Sequence, residues 1–188
     1  MLTSRFQEAL VYAAEIHATQ RRKGTDIPYV SHLLAVASLV LEHGGDEDQA
    51  IAALLHDAVE DQGGQPRLDD IRDRFGEHVA TMVEACTDGL DGQKAPWRER
   101  KEAYLTHLKG TPIEARLISC ADKLHNARSI LHDFRQYGDS LWSRFKGGKD
   151  GSLWYYEALV IEFLERGPER LAQQLAETVS QLREEAGN

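Results

Sequence analysis

The run Leu54-Leu55-His56-Asp57-Ala58-Val59-Glu60-Asp61 sets four ionisable side chains at i, i+1, i+4 and i+5 of a segment whose periodicity predicts a buried helix. At about 100° per residue, His56, Asp57, Glu60 and Asp61 fall within an arc of roughly 140°, and Ile51, Leu54, Leu55, Ala58 and Val59 fill the opposite side. The adjacent His56 and Asp57 offer one nitrogen and one oxygen to a divalent metal. The acidic pair one turn later can handle protons beside it. Two further ligands must come from elsewhere in the chain.

A second stretch repeats the design. Asp122, His125, Asn126 and Ser129 stand at i, i+3, i+4 and i+7, opposite the apolar Leu117, Ala121, Leu124, Ala127 and Leu131. An aspartate after Leu117-Ile118-Ser119-Cys120-Ala121 is costly to bury unless it is paired or metal-bound, which makes Asp122 the third candidate ligand. His32, at the start of an apolar helix just after Tyr29, is the fourth. Each has an ordinary structural reading: a capping histidine, an ion-paired aspartate, and for Glu60-Asp61 a solvated helix end. Together they favour a metal site, because each would otherwise need its own remedy for desolvation. Two histidines and two carboxylates suit Mn, Fe or Zn better than Mg or Ca.

The elements that must carry these residues read as helices throughout, with almost no strand alternation, so the expected fold is all-α. Helices are expected over 3–20, from Ser31 as N-cap to Gly44-Gly45, and from Asp46 or Asp48 through the opening run to Gly63-Gly64. Others are expected over 68–75, from Gly76 to Cys86, over 97–108, and from Thr111-Pro112 to about Leu131. The stretch 21–28 breaks the pattern with Gly and Pro, and 87–92 must be a loop. Periodicity is lost over 133–151, where Lys146 to Gly151 looks the most flexible piece, and helices over 153–166 and 168–185 close the chain. We expect one domain over 1–188, with the catalytic motifs in 21–131 and C-terminal helices in 152–186.

The 188 residues, 41% hydrophobic and 28% charged, can bury a sizeable core. A net charge of -9 and a pI near 5.4 argue against a nonspecific nucleic-acid surface or an anionic-membrane patch. With no leader pattern and no long apolar run, cytoplasmic residence is the default expectation. Cys86 and Cys120 lack metal-type spacing and read as packing residues.

At this point the chain resembles the HD-domain metal-dependent phosphohydrolases, whose ligands are a His, an adjacent His-Asp and a distant Asp. His32, His56-Asp57 and Asp122 match in that order. Within that class it is similar to the hydrolase domain of RelA/SpoT homologues and to stand-alone small alarmone hydrolases of the metazoan SpoT-homologue type. Four stretches carry the likeness: Gln20 to Lys23 with Pro28 to His32, Ala52 to Asp61, Phe75-Gly76 to Thr87-Asp88, and Ala121 to Ser129. The resemblance implies a helical bundle of about eight to ten helices and one Mn ion held by His32, His56, Asp57 and Asp122. It also implies hydrolysis of the 3′-pyrophosphate of guanosine tetra- or pentaphosphate to pyrophosphate and GDP or GTP. Glu60 and Asp61 would then manage the attacking water, Arg22 and Lys23 would contact phosphate or base, Asn126 and Ser129 would touch sugar or phosphate, and Tyr29 would stack or pack near the pocket.

An acidic protein acting on a small polyanionic nucleotide needs a local cationic lip, and Arg21, Arg22 and Lys23 supply one candidate. A second basic group, Lys94, Arg98, Arg100 and Lys101, reads as a solvated helix face. His17, His43, His78, His107 and His132 read as structural or surface, and His125 as an outer partner of a ligand. Beyond Leu131 the resemblance thins. Phe145 to Ser152 departs from the family, and the following Trp154, Tyr155 and Tyr156 read either as core or as part of a base pocket. Adenosine 3′-pyrophosphates, the 2′-phosphate of NADPH, 5′-nucleotides and nucleotide sensing without turnover therefore stay open as alternatives, as does the oligomeric state.

Overall fold

The computed structural model describes residues 1–87 and 95–187. Among these, ten α-helices and one 3-10 helix occur and no strand does; the nearest approach is an isolated antiparallel bridge between Arg21 and Pro28. The all-α expectation holds. The loop predicted over 87–92 lies, beyond Thr87, outside the described residues, as does Lys94.

Helices α1 (Ser4–Ile16), α2 (Val30–Glu42) and α3 (Glu47–Leu55) open the chain. Asp46 caps α3 through a capping box, its carboxylate accepting from the Gln49 amide at 2.9 Å while Gln49 Oε1 accepts from the Asp46 amide at 3.0 Å. From Ala50 to Leu55 every residue is fully buried, as befits a helix apolar on all sides at the centre of a bundle. The predicted single helix through the opening run is broken, however. Leu55 ends α3, Asp57 turns at φ -97° and ψ -2°, and Ala58–Asp61 form the one-turn helix α4. The break reorients the His-Asp pair relative to the acids behind it.

The remaining helices are α5 (Gln65–Phe75), α6 (Glu77–Cys86), α7 (Trp97–Gly110), α8 (Ile113–Tyr137), α9 (Gly148–Arg166) and α10 (Glu169–Gly187), with a 3-10 turn over Gly138–Arg144. Several boundaries differ from the sequence expectation. The first helix stops at Ile16 rather than Gln20, where tighter turn bonds, from the Ala18 amide to the Glu15 carbonyl and from the Gln20 amide to the His17 carbonyl, replace the helical ladder. Val30 rather than Ser31 opens α2, without a side-chain cap. Helix α5 begins three residues early, with Pro66 in its first turn, where a missing amide costs nothing. Pro112, not Thr111, occupies the cap of α8, which runs past Leu131 to Tyr137, where Gly138 turns it off at φ 58°.

The glycine-rich stretch read as flexible starts α9. A Cβ on Gly147 would lie 2.6 Å from the Trp97 ring, and one on Gly151 3.1 Å from it. These glycines serve close packing, and α7 is thereby pressed onto α9. Buried Arg116 adds a second tie between them, donating from α8 to the carbonyls of Leu108 on α7 at 2.5 Å and Glu162 on α9 at 2.8 Å. Helix α8 itself packs against α2, α6 and α10 and forms the spine of the molecule.

Candidate metal centre and adjoining pocket

Three elements converge on one point: the first turn of α2 brings His32, the turn after α3 brings His56 and Asp57, and the middle of α8 brings Asp122. The ligand atoms of His32, His56 and Asp57 all lie within 4.8 Å of one another. Nε2 of His56 stands 3.0 Å from Asp57 Oδ2 and 3.7 Å from Asp122 Oδ1; Nε2 of His32 stands 3.6 and 3.2 Å from the same two oxygens. Both nitrogens are buried and neither makes a hydrogen bond. Buried imidazole nitrogens left without a partner are costly unless something else occupies the point they face, and a divalent cation fits that donor set.

The far side of each ring is anchored so that Nε2 keeps its lone pair. Nδ1 of His56 lies 2.8 Å from the Ala53 carbonyl, which can only accept, so Nδ1 carries the proton. Nδ1 of His32 lies 2.7 Å from Nδ1 of His125. Burial, with His32 and Arg22 nearby, pushes the His125 pKa down to about 4, so the ring is neutral and can accept. His125 thus stands behind the candidate ligand His32, with its Nδ1 against the far side of that ring.

The electrostatics of the cluster favour positive charge at its centre. Burial opposes protonation of His56, but Asp57 and Asp122 outweigh it and raise its pKa well above the ordinary value. Burial likewise opposes ionisation of Asp57 and Asp122. For Asp57 the charge of His56 prevails, for Asp122 that of Lys123, and both carboxyls are held well below the ordinary carboxylate range. Asp122 accepts from Lys123 Nζ at 2.6 Å and from Asn126 Nδ2 at 2.5 Å. Each carboxylate oxygen has a second lone pair left for ligation.

Tyr29, expected to stack or pack near the pocket, does more. Its hydroxyl donates to Asp57 Oδ2 at 2.5 Å and its ring stacks on His17, centroids 5.4 Å apart. His17, read as structural or surface, is buried and bonded through Nδ1 to Gln20 Oε1 at 2.5 Å. Gln20 donates in turn to Asp61 Oδ2 at 2.7 Å. Burial raises the pKa of Asp61, and the Gln20 hydrogen bond works the other way. Glu60 lies beside Asp61 on α4 with its side chain exposed.

A cavity of about 590 Å³ adjoins the centre. Arg22, Lys23, Lys123 and Arg128 are among the residues that line it. Arg22 donates to Asn126 Oδ1 at 3.0 Å and Ser129 Oγ at 3.4 Å, so the predicted substrate residues of loop and helix meet in the fold. Trp97, Phe145, Tyr155 and Tyr156 add an aromatic lining, with Lys23 Nζ 6.0 Å from the Phe145 ring centroid. Lys101, read as part of a solvated face, is instead a lining residue with Nζ 4.9 Å above the Tyr155 ring. Arg98 fits the solvated reading, stacked on Trp154 and paired with Glu102 at 2.7 Å. The three consecutive aromatics divide, with Tyr155 and Tyr156 on the cavity and Trp154 behind it. Lys123 and Arg128 escaped the sequence reading, although both flank the Asp122 face of α8.

A helical bundle whose His, His-Asp and Asp candidate ligands meet beside a cavity with several cations defines a class, and the family model described as HD domain matches residues 9–153; the chain belongs to that family. Within it, the chain is 34% identical over 185 residues to guanosine-3′,5′-bis(diphosphate) 3′-pyrophosphohydrolase MESH1 of Mus musculus, covering 96% of this chain and 93% of that one. It is 40% identical over 126 residues to the Xenopus tropicalis protein of the same name, 65% and 68% of the two chains. A solved structure described as a metazoan ortholog of SpoT that hydrolyzes ppGpp superposes with a TM-score of 0.81 at 30% identity, covering 97% of each chain.

Proposed function

We propose that this chain is a metal-dependent pyrophosphohydrolase that removes the 3′-pyrophosphate of guanosine tetra- and pentaphosphate, yielding pyrophosphate and GDP or GTP. One observation carries the reading: two buried, unbonded histidine nitrogens and two carboxylates converge at the edge of a cavity lined by Arg22, Lys23, Lys101, Lys123 and Arg128, in a chain of net charge -9. So many cations around one cavity suit a ligand with several phosphates rather than a 5′-monophosphate. The named relatives support the same substrate.

His32, His56, Asp57 and Asp122 are the proposed ligands, and Mn is the proposed ion, since a mixed nitrogen and oxygen set suits it. Such an ion supplies charge neutralisation at a phosphoryl oxygen and a more acidic water. The chain's own residues do the rest. Arg22 and Lys23 hold phosphate from the 21–28 loop, and Asn126 and Ser129 present polar groups from α8 to the sugar or phosphate. Asp61, kept near the centre by Gln20, and Glu60 receive the proton of the attacking water. Tyr29 is assigned to orienting Asp57 rather than to stacking on substrate. Residence in the cytoplasm and action as one domain are part of the same proposal; among the described residues no helix is long and apolar enough to cross a membrane.

Product analysis with Mn present tests it. Pyrophosphate and GDP from guanosine tetraphosphate, with little release from 5′-monophosphates, is the expected result. Orthophosphate from many nucleotides would assign a general nucleotide phosphatase instead. Binding without turnover in metal-replete protein would assign a sensor.

A further inference from the structure

We infer that Trp97, seated in a notch formed by Gly147 and Gly151, is the wall on which the nucleotide's base stacks, and is thereby a specificity-determining residue that favours bicyclic purines. The inference rests on the nucleotide reading of the cavity proposed above.

The notch is the first observation. Gly147 has φ -82°, a backbone that any residue adopts, so conformation does not demand glycine there. The contact does: an added Cβ would meet Trp97 ring atoms at 2.6, 2.7 and 2.9 Å. At Gly151, inside α9, a Cβ would meet the ring at 3.1 and 3.2 Å, and a glycine within a helix is less favourable than alanine. Two positions thus lack side chains so that one indole can lie against helix backbone.

The ring's placement is the second. Trp97 is only partly buried and lines the cavity together with Phe145 and Tyr155. It meets Tyr155 edge-on, centroids 6.4 Å apart and planes at 75°, and Trp154 likewise at 6.3 Å and 70°. Edge contacts and the glycine notch hold the indole in place, and a flat surface so held is what a base needs. Lys23 stands 6.0 Å from the Phe145 ring and Lys101 4.9 Å from the Tyr155 ring, so cations that can hold phosphate border the aromatic wall.

Steady-state kinetics on guanosine tetraphosphate tests the inference with the variants Trp97→Ala, Trp97→Phe and Gly151→Ala. Loss of a base–aromatic stack is worth roughly 5- to 150-fold in affinity. Trp97→Ala is expected to raise KM within that range with kcat changed about twofold or less, and Trp97→Phe to recover most of the loss. Inhibition by inorganic tripolyphosphate, which has no base, is expected to be unchanged in all three. Gly151→Ala, which folds without a new cavity, is expected to raise KM by tilting the indole. Unchanged KM in Trp97→Ala, or equal weakening of tripolyphosphate, would overturn the stacking role. If the wild-type protein leaves guanosine tetraphosphate intact, the proposed function fails, and quenching of tryptophan fluorescence by GDP but not by CDP decides the stacking role separately. A quench that persists in Trp97→Phe counts against it.

Discussion

The Tyr29 hydroxyl donates to Asp57 Oδ2 at 2.5 Å, joining the mouth of the 21–28 loop to the turn that breaks α3 from α4. Burial, with Asp57 beside it, holds the phenol far from ionising, so it keeps the proton that it donates to Asp57. Tyr29→Phe removes that donor and keeps the ring on His17. Outer partners of metal ligands are typically worth 10- to 100-fold in metal affinity, so Mn binding followed by calorimetry is expected to weaken by about that factor. An unchanged Mn affinity would remove Tyr29 from the centre.

Ligand and proton-handling roles separate by different readouts. Asp57→Asn is expected to abolish the rise in Tm that Mn gives the wild-type protein, a rise corresponding to about 2.7 kcal/mol at a hundred times Kd. Glu60→Gln is expected to keep that rise while kcat falls about 10²- to 10⁴-fold. A Glu60→Gln enzyme with wild-type turnover would refute its assignment.

Gln20 tunes the ionisation of Asp61, the residue proposed to take the proton of the attacking water. Burial already raises the Asp61 pKa, and the hydrogen bond from Gln20 restrains that rise. Gln20→Leu is expected to let it climb further. The acid limb of kcat/KM then moves to higher pH, with the plateau little changed. A limb that stays in place would take Asp61 out of proton transfer.

His17 makes a prediction about stability. Burial lowers its pKa below the ordinary value near 6.5, so in the window below that value the unfolded chain binds a proton that the folded chain does not. Stability therefore falls as pH drops through about 6.5 toward the depressed folded value. Between about pH 7.5 and 5.5 the urea midpoint of the wild type is expected to shift less favourably than that of His17→Asn, since the other histidines contribute equally to both.

The sequence pattern carried the helical class and the four residues that the structure gathers within a few ångströms, because both depend on which residue types stand at helical spacing. His32, His56, Asp57 and Asp122 were legible as ionisable groups among apolar neighbours. The break at His56-Asp57 was not, since apolar periodicity runs on through a single turn of altered backbone angles. Gly147 and Gly151 were misread for a related reason: glycine in a sequence signals freedom, and only the fold shows that an indole fills the space. Lys101 and Lys123 look like ordinary surface lysines until α7 and α9 fold around a shared cavity. The His17–Gln20–Asp61 chain depends on side-chain directions at the end of α1, which spacing does not encode.

Asp122, His125, Asn126 and Ser129 all ride on α8, a single rod of 25 residues. From Asp122 to Ser129 the rise is about 10.5 Å, two turns at 1.5 Å per residue. The interval between the candidate metal and the Arg22–Ser129 contact is therefore a property of helix pitch, as in a ruler with fixed graduations. Point substitutions can change what each graduation reads without moving it. Inserting one residue between Asp122 and Asn126 would swing everything beyond it by about 100° and turn the anchor away. The distance over which a bound molecule can be gripped can thus change only in steps of whole turns.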